Sequence, residues 1–365
     1  MSSKKTILFA ATQRDFTATL NKRVSEYFKT HGVTRHANLE MIVKTICMFL
    51  LYLVPYVLLI TGVVSSWPLM LGMVLIMAVG LAGIGLSVMH DANHGAYSHK
   101  NWVNQWIGYS LNMVGANAFN WKIQHNVLHH SYTNVHEEDE DITPRGVLRL
   151  DPHSKWRKIH RYQFIYAWLL YGFMTIIWLF YKDFQRLVHY HRTGLTKKQN
   201  ANIRKEWAIL IATKTFYISY ILLIPVFIAS IAWWKVLLAI FIMHYIAGFM
   251  LAIIFQPAHV IEGTAYPLPD NNREMKDNWT IHQLLTTCNF GNNNRWFSWY
   301  VGGLNFQIEH HLFPNICHVH YRKISSIVKQ TATEFGIPYR SFNTFFGALQ
   351  SHASMLKQLG ARPAL

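Results

Sequence analysis

The stretch that decides the fold is TICMFLLYLVPYVLLITGVVSSWPLMLGMVLIMAVGLAGIGLSVM, Thr45 to Met89, 45 residues without one charged side chain. Its single polar break, Ser65-Ser66-Trp67-Pro68, leaves halves of 45–64 and 68–89. Each half holds about the 20 apolar residues that cross a bilayer as a helix. So tight a break makes the halves an antiparallel hairpin that enters and leaves on one side. A second run, Thr215 to Phe255, is interrupted near Trp233-Trp234-Lys235 and reads as another hairpin. Pro225 is tolerated there as a kink in a lipid-embedded helix. The expected spans are 45–64, 68–89, 210–231 and 235–255.

Working outward, composition agrees. Of 365 residues 51% are hydrophobic and 14% charged, against about 25% charged in a soluble domain. The surplus of 34 Lys and Arg over 18 Asp and Glu would suggest nucleic acid in a soluble chain. Its placement points elsewhere. With four spans, 8 basic residues precede the first hairpin, 16 lie between the hairpins and 9 follow the second, leaving Lys235 alone opposite. Positive charge marks the cytoplasmic side, so the large face is cytoplasmic and no nucleic acid partner is called for. Met1-Ser2-Ser3-Lys4-Lys5 leads into no cleavable apolar region, so no secretory signal is expected.

Tyr162 to Tyr181 is also uncharged, and is either a fifth crossing, paired with another, or a helix in the interface. Its Tyr and Trp residues with basic flanks suit the interface. The uncharged stretch 101–121 carries too many Asn residues to span. Phe16, Leu20, Val24 and Phe28 recur every four residues before Gly32, predicting an amphipathic helix on the bilayer or the cap. The expected organisation is all-α and membrane-integral: an N-terminal cytoplasmic segment 1–40, a membrane domain 41–335 of four spans in two hairpins with a helical cytoplasmic cap from 90–209 and 256–335, and a tail 336–365. The first dozen residues carry no chemistry, and their removal is expected to matter less than loss of a key histidine.

Histidine is the abnormal residue, 21 against 18 acids. Cys47, Cys288 and Cys317 are too few and too scattered for a disulfide framework or thiolate metal site, and read as small buried hydrophobes. His90-Asp91-Ala92-Asn93-His94 places two imidazoles on one helix face. His125-Asn126-Val127-Leu128-His129-His130 repeats the spacing. At about 100° per residue His129 lies roughly 40° from His125, and His130 roughly 140°, so this group can serve two neighbouring ions. Gln307-Ile308-Glu309-His310-His311 follows near the C-terminus, and His259 stands just past the fourth span. Eight histidines in four clusters therefore lie near span ends. Imidazole sites without thiolate suit iron, copper or zinc, and so many ligands exceed one ion. Asp91, Glu309 and the run Glu137–Asp141 can accept the second ring N–H groups; for the acidic run a solvated loop is an equal reading. His244, deep in the fourth span, is either functional or bonded to a neighbouring helix. The basic residues around Arg157, Lys158 and Arg161 suit anionic lipid, coenzyme A phosphates, an acidic electron donor or orientation alone.

HDANH, HNVLHH and QIEHH, in this order and among these hairpins, resemble the three histidine boxes of the integral-membrane fatty acid desaturases, over nearly the whole chain. Gln307 in place of the usual histidine resembles the front-end subgroup. The resemblance implies a diiron centre held by His90, His94, His125, His129, His130, His259, His310 and His311, with O2 as co-substrate. It implies a cis double bond introduced between two unactivated methylenes of a fatty acyl chain, carried on coenzyme A, carrier protein or lipid. Gln307, Asp91 and Glu309 are the further candidate catalytic groups, Gln307 acting through water or from an outer position. An unactivated chain offers no acid, base or electrophilic handle, so the protein's part is positioning within an apolar, water-excluding tunnel; Trp121, Tyr132, Trp279 and Trp299 are candidate lining residues or simple packing. No iron–sulfur, dinucleotide or haem motif is present, so a separate ferredoxin, or cytochrome b5 with its reductase, is expected, in a bacterial inner membrane. The rivals are a histidine-box hydroxylase or sphingolipid-modifying oxygenase, and a metal transporter; the transporter would place its ligands mid-span.

Overall fold

A computed structural model describes residues 6–143 and 146–362; Met1–Lys5, where the signal-peptide expectation falls, lie outside them. Among the described residues, sheet is confined to two short parallel pairs, Leu8–Phe9 with Glu274–Met275 and Asn289–Phe290 with Ser341–Phe342. The rest is helix and loop.

Among the described residues four helices are long and apolar enough to cross a membrane: Leu39–Ile60, Trp67–Asn93, Ile203–Ile228 and Trp233–His259. Two begin several residues before the expected spans, because a helix is started by its cap rather than by the loss of charge. The Asn38 side chain accepts the Met41 N–H at 3.2 Å, and Asn202 does the same for Arg204 at 3.0 Å. Each cap satisfies an amide with no partner inside its helix. The ambiguous stretch forms two helical pieces, Lys158–Tyr171 and Met174–Arg192, bent by 69°; counted as one crossing they make a fifth. Gly172 stands at the bend, where a Cβ would lie 2.4 Å from the Tyr245 ring.

The chain divides into two units, one of residues 37–123 and 168–253, the other of 1–36, 124–167 and 254–365. The first is the apolar unit. A Cβ on Gly80 would fall 2.6 Å from the Tyr52 backbone nitrogen, and one on Gly83 would meet Met48. Glycine is what lets these two helices, running in opposite directions, approach so closely. The buried Lys214 ammonium here is matched. Lys214 donates to Gly115 O at 2.7 Å, Trp178 O at 3.0 Å and Asp183 Oδ2 at 2.7 Å.

His244 is matched too. The Thr175 hydroxyl gives its proton to the His244 carbonyl at 2.7 Å, so it accepts from His244 Nδ1 at 3.1 Å, leaving Nε2 to accept the Tyr217 O–H at 2.5 Å. Of its two sequence readings, bonding to neighbouring helices is the one seen.

The second unit is rich in histidine. Phe16, Leu20, Val24 and Phe28, on the Arg14–His31 helix, are buried with Ile308, Leu312, Ile324, Val328 and Ala332. Arg23 ties this helix to Glu334 at 2.7 Å. Ile7 is buried with Val135 and Met275, and Phe9 meets the Tyr132 and His282 rings at 6.5 and 5.1 Å. The first dozen residues thus hold part of this core. At the other end the last carbonyls of the Phe345–Gly360 helix are taken by Gln163, Arg149 and Trp156, which donate to Leu356, Leu359 and Gly360 at 2.8, 2.7 and 2.8 Å.

Candidate metal centre

The second histidine box lies on Lys122–His129, wound as a π-helix, and the His130 N–H continues the i to i+5 pattern onto His125 O at 2.9 Å. The wider turn stacks residues five apart almost over one another. His125, His129 and His130 therefore share a face, with ring centroids 5.1, 4.8 and 5.7 Å apart. The angular separation of His130 expected at α-helical pitch does not occur. A second π turn, Ile84–Val88, precedes the first box on Met89–Asn93.

Three further imidazoles join that face. His310 and His311 come from the buried Gln307–Leu312 helix, and His259 ends the Trp233–His259 helix. His129, His259 and His311 present ring nitrogens all within 4.8 Å of one another, and so do His130, His310 and His311. His130 Nε2 lies 3.0 Å from His310 Nε2 and 3.3 Å from His125 Nε2.

The other ring nitrogen of five of these residues is occupied. His129 Nδ1 donates to Asp139 at 2.9 Å, His125 Nδ1 to Asp141 at 3.2 Å, His259 Nδ1 to Thr286 O at 3.3 Å and His311 Nδ1 to Gln283 Oε1 at 2.9 Å. His310 Nδ1 lies 3.2 Å from the Tyr321 hydroxyl. Nδ1–H bonded outward leaves Nε2 as a lone pair directed inward. The Nε2 atoms of His129 and His259 are buried with no hydrogen-bond partner among the described residues. A buried group left so costs about 1–3 kcal/mol, and a cation among the nitrogens removes that cost. Burial alone would push the His129 imidazolium down, but the Asp139 carboxylate, with Asp141 beyond it, outweighs burial and holds it above its ordinary value. The local field thus favours positive charge. Buried imidazoles backed by carboxylates fit a bound transition metal.

Six of the eight candidate ligands are thus gathered in the histidine-rich unit. The other two, His90 and His94, pair in the apolar unit with rings 4.7 Å apart, each meeting Trp121 edge-on at 5.5 Å. The buried Asp91 carboxylate lies 3.9 Å from His90 Nδ1. The acidic run divides: Asp139 and Asp141 accept from His129 and His125, while Glu138 pairs with Arg273 at 2.7 Å.

Glu309 takes neither a ring N–H nor solvent. It is fully buried and accepts from Asn289 Nδ2 at 2.8 Å and Tyr339 O–H at 3.0 Å. Burial pushes its carboxyl up to about 7, against the pull of those two bonds. The amide of Gln307 is buried, and among the described residues neither its oxygen nor its nitrogen has a hydrogen-bond partner.

Sequence reasoning missed the supporting residues Gln283, Thr286, Thr133 and Tyr321. A signal existed in the Trp279–Thr286 helix, where Trp279, His282, Gln283 and Thr286 stand at i, i+3, i+4 and i+7 and so share a face. Trp279 Nε1 donates to His130 O at 3.1 Å, and His282 Nε2 to Thr133 O at 2.8 Å. His282 is therefore bonded to backbone, and burial pushes its pKa down to about 4. Cys288 and Cys317 are buried as expected, and Cys47 is partly so.

Apolar helices of spanning length and a buried, thiolate-free histidine cluster fit a membrane protein with a histidine-ligated metal site. The sequence profile for "Fatty acid desaturase" matches residues 65–343, and the chain belongs to that family. It is similar to an sn-1 linoleoyl-lipid 6-desaturase of Arthrospira platensis, 34% identical over 95% of this chain and 93% of that protein. A protein of the same name from Synechocystis sp. is 35% identical over 95% and 96%, and an acyl-lipid (8-3)-desaturase of Physcomitrium patens is 36% identical over 98% and 74%. The protein is accordingly an oxidoreductase, a fatty acid desaturase.

Proposed function

We propose that the protein inserts a cis double bond on the carboxyl side of an existing one, in a fatty acyl chain esterified to membrane lipid. O2 is the co-substrate, and two iron ions are held by His90, His94, His125, His129, His130, His259, His310 and His311. The observation that carries the reading is the convergence of six buried imidazoles, five with the outward nitrogen already occupied. The lipid-linked substrate rests on the names of the relatives, and the position of the new bond on those names together with Gln307.

The iron pair, when bound, supplies the oxidising power that an unactivated methylene demands. The chain's own residues do the rest. Asp139, Asp141, Gln283 and the Thr286 carbonyl fix which nitrogen each imidazole offers. Glu309, through Asn289 and Tyr339, ties the third box to the Asn289–Phe290 strand, so its part is positioning. Gln307, a buried amide in need of partners, acts through a bridging water. Asp91 balances charge beside His90.

We further assign the four spans to two hairpins, with the histidine-rich unit on the cytoplasmic face of a bacterial inner membrane, on the strength of the one-sided Lys and Arg distribution. The electrons come from a separate ferredoxin, or from cytochrome b5 with its reductase.

The test is expression of the full chain with an electron donor in a host fed saturated and polyunsaturated acids. Products are read by mass spectrometry with double-bond localisation in each lipid class. A new bond on the carboxyl side of an existing one, first appearing in glycerolipid, is the expected result. A hydroxylated product, or a bond formed only on acyl-coenzyme A, contradicts the reading.

A further inference from the structure

We propose that Gln283 is a positioning residue of the metal centre, one side chain that sets both the ligating nitrogen of His311 and the backbone of His130. The inference rests on reading the histidine cluster as an iron site. Gln283 is fully buried on the Trp279–Thr286 helix. Its Nε2 lies 3.1 Å from His130 O, and its Oε1 2.9 Å from His311 Nδ1 and 2.9 Å from Thr133 Oγ1.

These contacts leave no freedom of assignment. A backbone carbonyl only accepts, so the amide NH2 must face His130 and the amide cannot be flipped. The oxygen is then fixed toward His311, and an amide oxygen also only accepts. His311 must therefore carry its proton on Nδ1 and offer Nε2 as the lone pair. The single Thr133 hydroxyl proton goes to His129 O at 2.7 Å or to Gln283 Oε1 at 2.9 Å, and its oxygen, 3.3 Å from His311 Nδ1, is a second acceptor beside the same ring N–H.

His311 belongs to both groups of converging imidazoles, with His129 and His259 and with His130 and His310. With its proton fixed on Nδ1, His311 has one lone pair to offer, and that nitrogen lies among the ligand atoms of both groups. Gln283 also differs in kind from the acceptors behind His125 and His129, which are carboxylates. A neutral acceptor leaves His311 a weaker electron donor than an imidazole backed by Asp.

The experiment uses the full chain purified in detergent, loaded with ferrous 57Fe without oxygen. Iron affinity is read by competition with a chromogenic chelator, and the iron environment by Mössbauer spectroscopy. Gln283→Leu, close in volume but without polar atoms, is expected to bind iron about 10- to 100-fold more weakly. Gln283→Glu keeps an acceptor for the His311 N–H but loses the donor to His130 O, and is expected to bind iron more tightly than the Leu variant without reaching wild-type affinity. Its negative charge should also shift the quadrupole splitting, a change that lost packing would not produce.

Wild-type affinity with an unchanged spectrum in Gln283→Leu overturns the proposal, and so does a Glu variant as weak as the Leu variant. Should Gln283→Leu fail to fold, an unchanged spectrum in Gln283→Glu is sufficient to overturn it. A wild-type chain that takes up no iron overturns the iron-site reading and this proposal together, whereas loaded wild-type protein with indifferent variants removes this proposal alone.

Discussion

A histidine becomes a useful ligand when its second nitrogen is committed elsewhere, and here the commitments differ from residue to residue. His125 and His129 lean on carboxylates, His259 on a carbonyl, His311 on an amide. Asp139→Asn keeps an oxygen near His129 but removes the charge that favours a proton on Nδ1. It should lower desaturation by about 10- to 100-fold, measured as product per membrane-inserted protein. His129→Ala and His310→Ala should abolish product while the chain still reaches the membrane; near-normal fatty acid profiles from either would sink the ligand assignment. The candidate histidines were legible in the sequence because two of the boxes carry histidines at i, i+4 spacing and the third carries a histidine pair beside a glutamine. Their supports were not, because Gln283, Thr286 and Tyr321 meet His311, His259 and His310 only once the chain has folded. Nor was the shared face of His125, His129 and His130, since local spacing does not reveal a π-helix.

At the scale of elements, the four apolar helices follow the uncharged runs; their ends differ by three or four residues, and the two largest differences at their starts are set by Asn38 and Asn202. The close approach of two of these helices hangs on small residues. Gly80→Leu would drive a side chain into the backbone at Tyr52, whereas Gly72 has nothing within 4 Å of a Cβ. Gly80→Leu should therefore lose the monodisperse peak in detergent size-exclusion chromatography and Gly72→Ala should keep it; equal behaviour would contradict the packing. The N-terminal segment was only half legible. Its helix follows from the four-residue spacing, but the docking of Ile7 and Phe9 depends on Met275, Tyr132 and His282. Burial of one such side chain is worth about 1.5–3 kcal/mol. Deleting residues 1–12 should accordingly lower the thermal midpoint by several degrees without removing a ligand, and an unchanged midpoint would show that the docking contributes nothing.

At the scale of the whole molecule, charge placement carries the membrane orientation: Lys235 stands alone among 34 basic residues at the break between two spans. Two hairpins place Ser65 and Lys155, both exposed, on opposite sides. Single cysteines there, introduced in a background without Cys47, Cys288 and Cys317, should react with a membrane-impermeant maleimide from opposite faces of oriented vesicles. Labelling from the same face would contradict the two-hairpin assignment. The central claim, that imidazoles from separate segments together hold two iron ions, is tested most directly by the iron content of the purified full chain and of His259→Ala, a ligand outside all three boxes. Two irons per wild-type chain, and a loss of at least one in folded His259→Ala, is the predicted result. No iron in the wild-type chain, or two retained without His259, would contradict it.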